Sequence, residues 1–216
     1  MTARFPAIPE PRPPYHHGDL ARALLDAAGQ LIEEEGLEAF TLRACARKAG
    51  VSHAAPAHHF GDRAGLLSAY AASVFRDMTA TMSDRIHEAG DDPHGWLQAV
   101  GLSHIDFAIR RPGAFRLVFR CEALNKEHAD LKEAGDECFQ VLMSVVQSLL
   151  PDAGREELFI HGMLAWSVVH GFAHLWLEGN FAHTFSNHNI PEVQADLLAK
   201  QILGVIKPAF TPNVNP

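Results

Sequence analysis

The chain has 216 residues, enough for a buried core in one or two domains, and its 47% hydrophobic and 20% charged residues exclude a wholly disordered or collagen-like protein. A net charge of −8 argues against a surface that coats nucleic acid everywhere, while leaving room for a local basic site. Cys45, Cys121 and Cys138 are odd in number and far apart, so they suggest neither a disulfide framework nor a cysteine metal cluster, and they suit a reducing cytoplasm.

Residues 1–14 are proline-rich, lack the continuous apolar run of a signal peptide, and read as a flexible arm. From Asp19 onward Leu20, Leu24, Ala28, Leu31 and Ile32 recur at steps of three and four. This spacing predicts an amphipathic helix with Asp19 as N-cap and Gly36 as its stop. A second, short helix is expected from Thr41 to Gly50, and a third from a Ser52 cap. Helical patterns follow at 63–87, 96–111, 113–119, 125–150, 156–178 and about 191–207, separated by glycine and proline breaks. No strand-like alternation appears, so the chain is expected to be all-α with about nine helices. The most apolar stretch, Ile160 to Leu177, is interrupted by His161, His170 and His174, each costly in hydrocarbon. It is expected to be a buried helix rather than a membrane span.

The charge is unevenly spread: −1 over residues 1–63 and −7 over residues 64–216. Within the first part the acids gather at Glu33, Glu34, Glu35 and Glu38, leaving the rest able to present a positive face. The informative stretch is Thr41 to Phe60. Ala46 is small where two helices must cross, Gly50 stands at the tight turn, and Ser52 is placed to cap the next helix. Such a helix-turn-helix pushes the start of its second helix into the DNA major groove. On this reading Arg43 and Arg47, one turn apart, meet the phosphate backbone, Ser52 can add a phosphate contact to its cap, and Thr41, Lys48 and Arg63 belong to the same DNA-binding surface. His53, Ala54 and Ala55 occupy the first turn of the recognition helix, where His53 can hydrogen-bond a base edge and the alanine methyls can touch thymine.

This block resembles the TetR family of bacterial transcriptional repressors over Tyr15 to Leu67, on Thr41-Leu42-Arg43, Ala49-Gly50-Val51-Ser52, His59-Phe60 and the Asp62-Arg63 start before Leu66-Leu67. Further along, Trp166, His170, Gly171 and Gly179 resemble the Trp-His-Gly signature of one subgroup. The resemblance implies a cytoplasmic homodimer that binds a palindromic operator and releases it when a small, partly lipophilic inducer enters the C-terminal domain, with no catalysis and no cofactor. It also implies a division into a DNA-binding domain at 15–63, a ligand-binding and dimerisation domain at 64–208, and a flexible tail at 209–216. Two departures stand out. Ala57 replaces the tyrosine that commonly reaches a phosphate, so protonated His58 or His59 is expected to take that place. Pro56 stands four residues after Ser52 and is expected to shorten or distort the recognition helix.

In the larger part, Phe107, Phe115, Phe119, Phe139, Met143 and Trp166 suit either a core or an apolar ligand cavity, with Ser103, His104 and His170 as polar groups to orient a ligand. Gly162 and Gly171 weaken a helix and so point to close packing there. With His174 and the stripe Leu197, Leu198, Ile202 and Val205 they are expected to form the dimer interface. The rival reading is a helical-bundle metal enzyme using His170 and His174, four apart on one face, although no HExxH motif accompanies them.

Overall fold

The computed structural model describes residues 19–119, 121–188 and 194–211. The arm at 1–14, the start of the family-like block at Tyr15 and the expected helix start at Pro191 lie outside the described residues. The fold is all-α. Among the described residues ten helices run in order: α1 (Asp19–Glu35), α2 (Leu42–Lys48), α3 (Ala55–Phe60), α4 (Arg63–Glu88), α5 (Pro93–Arg110), α6 (Pro112–Phe119), α7 (Ala129–Leu149), α8 (Arg155–Leu177), α9 (Asn180–Asn187) and α10 (Ala195–Ile206). Short 3-10 turns lie at Cys121–Ala123 and Lys207–Phe210.

The helix that raises the expected nine to ten is α9. It follows Gly179, whose φ of +72° ends α8 in the left-handed region where glycine is favoured. Phe181 of α9 then turns back to pack beside Phe172 and Trp176, with ring centroids 5.1 and 6.0 Å away.

The chain divides into two compact units. One contains residues 19–77 and Arg111–Glu137, so α6 is built into the same unit as α1 to α3. Its core includes Leu24, Ile32, Phe40, Cys45, Ala46, Leu66 and Leu67, all essentially without exposure. Leu24, Ala28, Leu31 and Ile32 occupy the buried stripe that their spacing predicts.

The other unit contains Met78–Arg110 and residues 138–211. Trp96 is fully buried there, and its indole N–H donates to the carbonyl of Gly90 at 2.6 Å, fixing the bend between α4 and α5. Ile105, Val169, Phe172, Ala199 and Leu203 bring α5, α8 and α10 together. Phe210, within the stretch expected to be a tail, is fully buried, its ring beside His161 with 5.6 Å between centroids.

α8 is the one described helix long and apolar enough to cross a membrane by length and composition, yet only 28% of its apolar window is buried. The buried helix expected there is corrected. Neighbouring helices cover one side, and Ile160, Leu164 and Leu175 stay exposed on the other.

Candidate nucleic-acid interface

α2 opens as expected: the Thr41 hydroxyl accepts the Ala44 N–H at 3.1 Å. It closes on a Schellman turn, with Val51 N–H donating to Ala46 O at 3.0 Å and Gly50 N–H to Arg47 O at 3.2 Å around a Gly50 φ of +69°. Ala44, Cys45 and Ala46 face inward, and the Cys45 thiol donates to Leu24 O at 3.3 Å. That orientation leaves Arg43 and Arg47 exposed one turn apart. Lys48 is half-buried and its ammonium meets the Glu34 carboxylate at 2.5 Å, so its charge is partly spent within the module.

The expected Ser52 cap is corrected. α3 begins at Ala55, its N-cap is Ala54, and no side chain caps it. Pro56 is the reason: it has no N–H to give the Ser52 carbonyl, so the Ala55 N–H donates there instead at 3.0 Å and closes a tight turn. The helix that remains is six residues long, anchored by the buried Pro56. Ser52, His53 and Ala54 are exposed on this turn, Ala55 is half-buried, and His58 and His59 are exposed with rings 5.4 Å apart.

Arg63 turns away from this surface. Its guanidinium donates to Leu37 O at 2.8 Å and Phe40 O at 3.2 Å and lies over the Phe40 ring, bracing the loop between α1 and α2. Gly61, at φ +77°, separates α3 from α4, and the Asp62 carboxylate caps α4 by accepting the Gly65 N–H at 2.8 Å. Gly65 has no sequence signal of its own. A Cβ built on it would stand 2.0 Å from the Phe60 carbonyl oxygen, so the corner between α3 and α4 closes only around glycine.

Residues 24–70 match the family described as bacterial regulatory proteins, tetR family, and residues 97–198 match the tetracyclin repressor-like C-terminal domain. The HTH-type transcriptional regulator BetI of Stenotrophomonas maltophilia (strain R551-3) is 32% identical over 161 residues, covering 73% of this chain and 79% of the relative. The chain belongs to the TetR family. It is a helix-turn-helix transcriptional regulator. BetI of Burkholderia mallei (strain NCTC 10229) is 39% identical over 83 residues, 38% of this chain and 43% of that protein. A Rhodococcus sp. RHA1 protein of unknown function shares the fold at 28% identity and a TM-score of 0.68, covering 91% of this chain and 96% of its own.

In this TetR-family chain the C-terminal candidates separate by location. Phe115 and Phe119 belong to the unit of the helix-turn-helix, their rings 5.0 Å apart. Ser103, His104, Phe107, Phe139, Met143, Trp166 and His170 belong to the other unit. Trp166 lies between Phe139 and His170, at 6.1 and 5.8 Å between centroids, while the Ser103 hydroxyl donates to Ala99 O within its own helix. A groove of that unit is lined by Asp92, His94, Gln98, Leu203 and Lys207, none of them expected from the sequence.

The three histidines form a chain. His104 Nε2 meets His170 Nδ1 at 3.3 Å, and His170 Nε2 meets His174 Nε2 at 3.2 Å. Because His170 turns one ring nitrogen to each neighbour, the nitrogens do not converge on a point. No group of three or more His, Cys, Asp or Glu among the described residues could hold a metal ion. The metal-enzyme reading finds no support in this geometry or in the relatives.

His104 is 4% exposed, and burial, then the charges of His170 and His174, push its pKa down to about 3. Between its ordinary value of 6.5 and about 3, the unfolded chain binds a proton that the folded chain refuses. Stability is therefore full above this window and falls on acidification through it, by up to about 1.4 kcal/mol per pH unit for one histidine. Urea unfolding at a series of pH values is expected to show this slope, and His104→Gln is expected to flatten it.

Gly162 is buried, and a Cβ there would meet Met143 Sδ at 2.5 Å, so the close approach it permits is within the chain. Gly171 has open space around it. Leu198 and Ile202 pack partly on the inner cluster, whereas Leu197 and Val205 are exposed at 51% and 79%.

Proposed function

We propose that the chain is a dimeric, ligand-responsive repressor of the Trp-His-Gly subgroup that binds a palindromic operator in the cytoplasm. The observation that carries the reading is the exposure of Arg43 and Arg47, one turn apart on α2, and of Ser52, His53 and Ala54 on the turn that enters α3. The arginines supply phosphate contacts, and His53 with Ala54 reads base edges in the major groove. Thr41, Ala55, His58 and His59 extend that surface, with the two histidines next to Ala57, which stands where the wider family has a phosphate-binding tyrosine. Arg63 and Lys48 hold the module in shape.

For dimerisation, Ile160, Leu164, Gly171 and Leu175 of α8 lie on one helical face, and Leu197 and Val205 of α10 form a second exposed apolar stripe. A second copy of the chain covers both, with His174 at the rim. The aromatic and histidine cluster around Trp166, His104 and His170 is where a partly lipophilic inducer is read. No cofactor is required, because the inducer need only bind better to the form whose recognition helices are wrongly spaced.

Selection of bound duplexes from random DNA by the full chain tests the reading, and a palindrome is the expected result. On that duplex Arg43→Ala is expected to weaken specific and nonspecific binding alike and to reduce the slope of log K against log salt by about 0.9 for each phosphate that a subunit no longer neutralises. Selection without a palindrome overturns the reading.

A further inference from the structure

α6 begins without a cap of its own. Pro112 has no N–H, and the two donors that follow, Gly113 N–H and Ala114 N–H, both go to one side chain of α1: to Glu33 Oε2 at 2.8 Å and to Glu33 Oε1 at 2.9 Å. The Phe115 N–H already donates to Arg111 O at 2.9 Å. One carboxylate from 80 residues earlier therefore satisfies the donors that a helix start leaves open, at the end where the helix dipole favours negative charge. The approach is close enough to require glycine: a Cβ at Gly113 would stand 2.7 Å from Ile32 O and 3.0 Å from Glu33 Oε2. Beside this tie, the Arg111 guanidinium donates to the Tyr70 hydroxyl at 3.1 Å and to Asp77 at 3.2 Å. Tyr70 in turn lies against Gly29 of α1, where a Cβ would stand 2.8 Å from its hydroxyl oxygen.

The next residue along α1 continues the connection. Glu34 pairs with Lys48 of α2, and Leu24 receives the Cys45 thiol, so α1 holds α6 at Glu33 and the arginine-bearing helix at Glu34 and Leu24. We propose that Glu33 is a positioning residue that ties the placement of α6 to that of the DNA-reading helices. A shift of α6 then reaches α2 and α3 through this carboxylate. A two-point charge-assisted clamp fixes direction as well as distance, which an apolar contact between smooth helix faces does not. The proposal rests on the reading of the chain as a ligand-responsive DNA-binding protein.

Coupling between sites is reciprocal: whatever α6 does to operator affinity, the operator does to α6. The operator duplex itself is thus the probe, and no inducer is needed. Amide hydrogen exchange of the full chain, free and bound to the selected duplex, is expected to slow about fivefold or more over residues 112–119 on binding. In Glu33→Ala that DNA-dependent slowing is expected to fall below about twofold while the duplex is still bound. Glu33→Gln, which keeps one carbonyl acceptor in the same shape, is expected to give an intermediate ratio, and it alone decides if the alanine variant does not fold. A cap that is only structural would speed exchange equally in the free and bound forms. An unchanged bound-to-free ratio in the folded variants overturns the proposal, as does operator binding by the unmodified chain with no slowing at 112–119. Failure of the unmodified chain to bind any selected duplex overturns the functional reading, and this one with it.

Discussion

A chain carrying Leu164→Glu together with Val205→Glu is expected to remain folded, become monomeric and lose operator affinity by about 10²- to 10⁴-fold, the gain that simultaneous engagement of two half-sites ordinarily supplies. Leu164 is 39% exposed and Val205 79%, so within one copy the glutamates stay in water and cost little. Across a two-fold interface each would be buried against its own image or a near neighbour, as unpaired like charge, and the association could not survive. Leu198, chosen from the sequence stripe alone, would be a poorer probe because it packs partly on the inner cluster. Sedimentation beside an operator titration checks the result. A double variant that remains dimeric at micromolar concentration places the interface elsewhere.

The second large effect is expected at the corner between α3 and α4. Gly65→Ala puts a Cβ 2.0 Å from the Phe60 carbonyl oxygen, and that neighbour is backbone, which cannot rotate away. The corner must open, at a cost of about 1–3 kcal/mol or more, and each kcal/mol lowers Tm by roughly 2–4 °C in a chain of this size. Operator affinity is expected to fall with it, since the opened corner re-aims the short recognition helix. Gly154→Ala is the control: its φ is −69°, nothing lies within 4 Å, and it should leave Tm and binding nearly unchanged. Equal melting of the two variants would show that α3 and α4 adjust freely.

Where a residue's effect is local, the sequence is a good guide. Thr41 caps α2, Gly50 ends it at positive φ, and the inward stripe of α1 follows its three-and-four spacing. Ser52 misled because two local signals conflicted: a good capping side chain stood four residues ahead of a proline, which has no N–H to give the Ser52 carbonyl the first bond of the helix. Gly65 and Gly113 were silent because each is required by a backbone carbonyl brought near in space. The exposed face of α8 was hidden for another reason. Hydropathy shows that a surface avoids water, and it does not show whether the covering atoms come from the same chain. His170 and His174 were legible as neighbours four apart, but their link to His104 spans 66 positions and exists only once α5 and α8 pack.

The unit holding the helix-turn-helix is closed by a bond between residues 33 and 113, with Met78–Arg110 belonging to the other unit in between. On the ribosome, α1 to α3 therefore emerge long before the helix that packs on α1. At about 5–20 residues per second, the interval between Glu33 and Ala114 lasts several seconds. During that time the Glu33 carboxylate has no helix start to cap. Synthesis itself thus orders events: the unit that carries the helix-turn-helix is completed only after the first turn of α6 has been made.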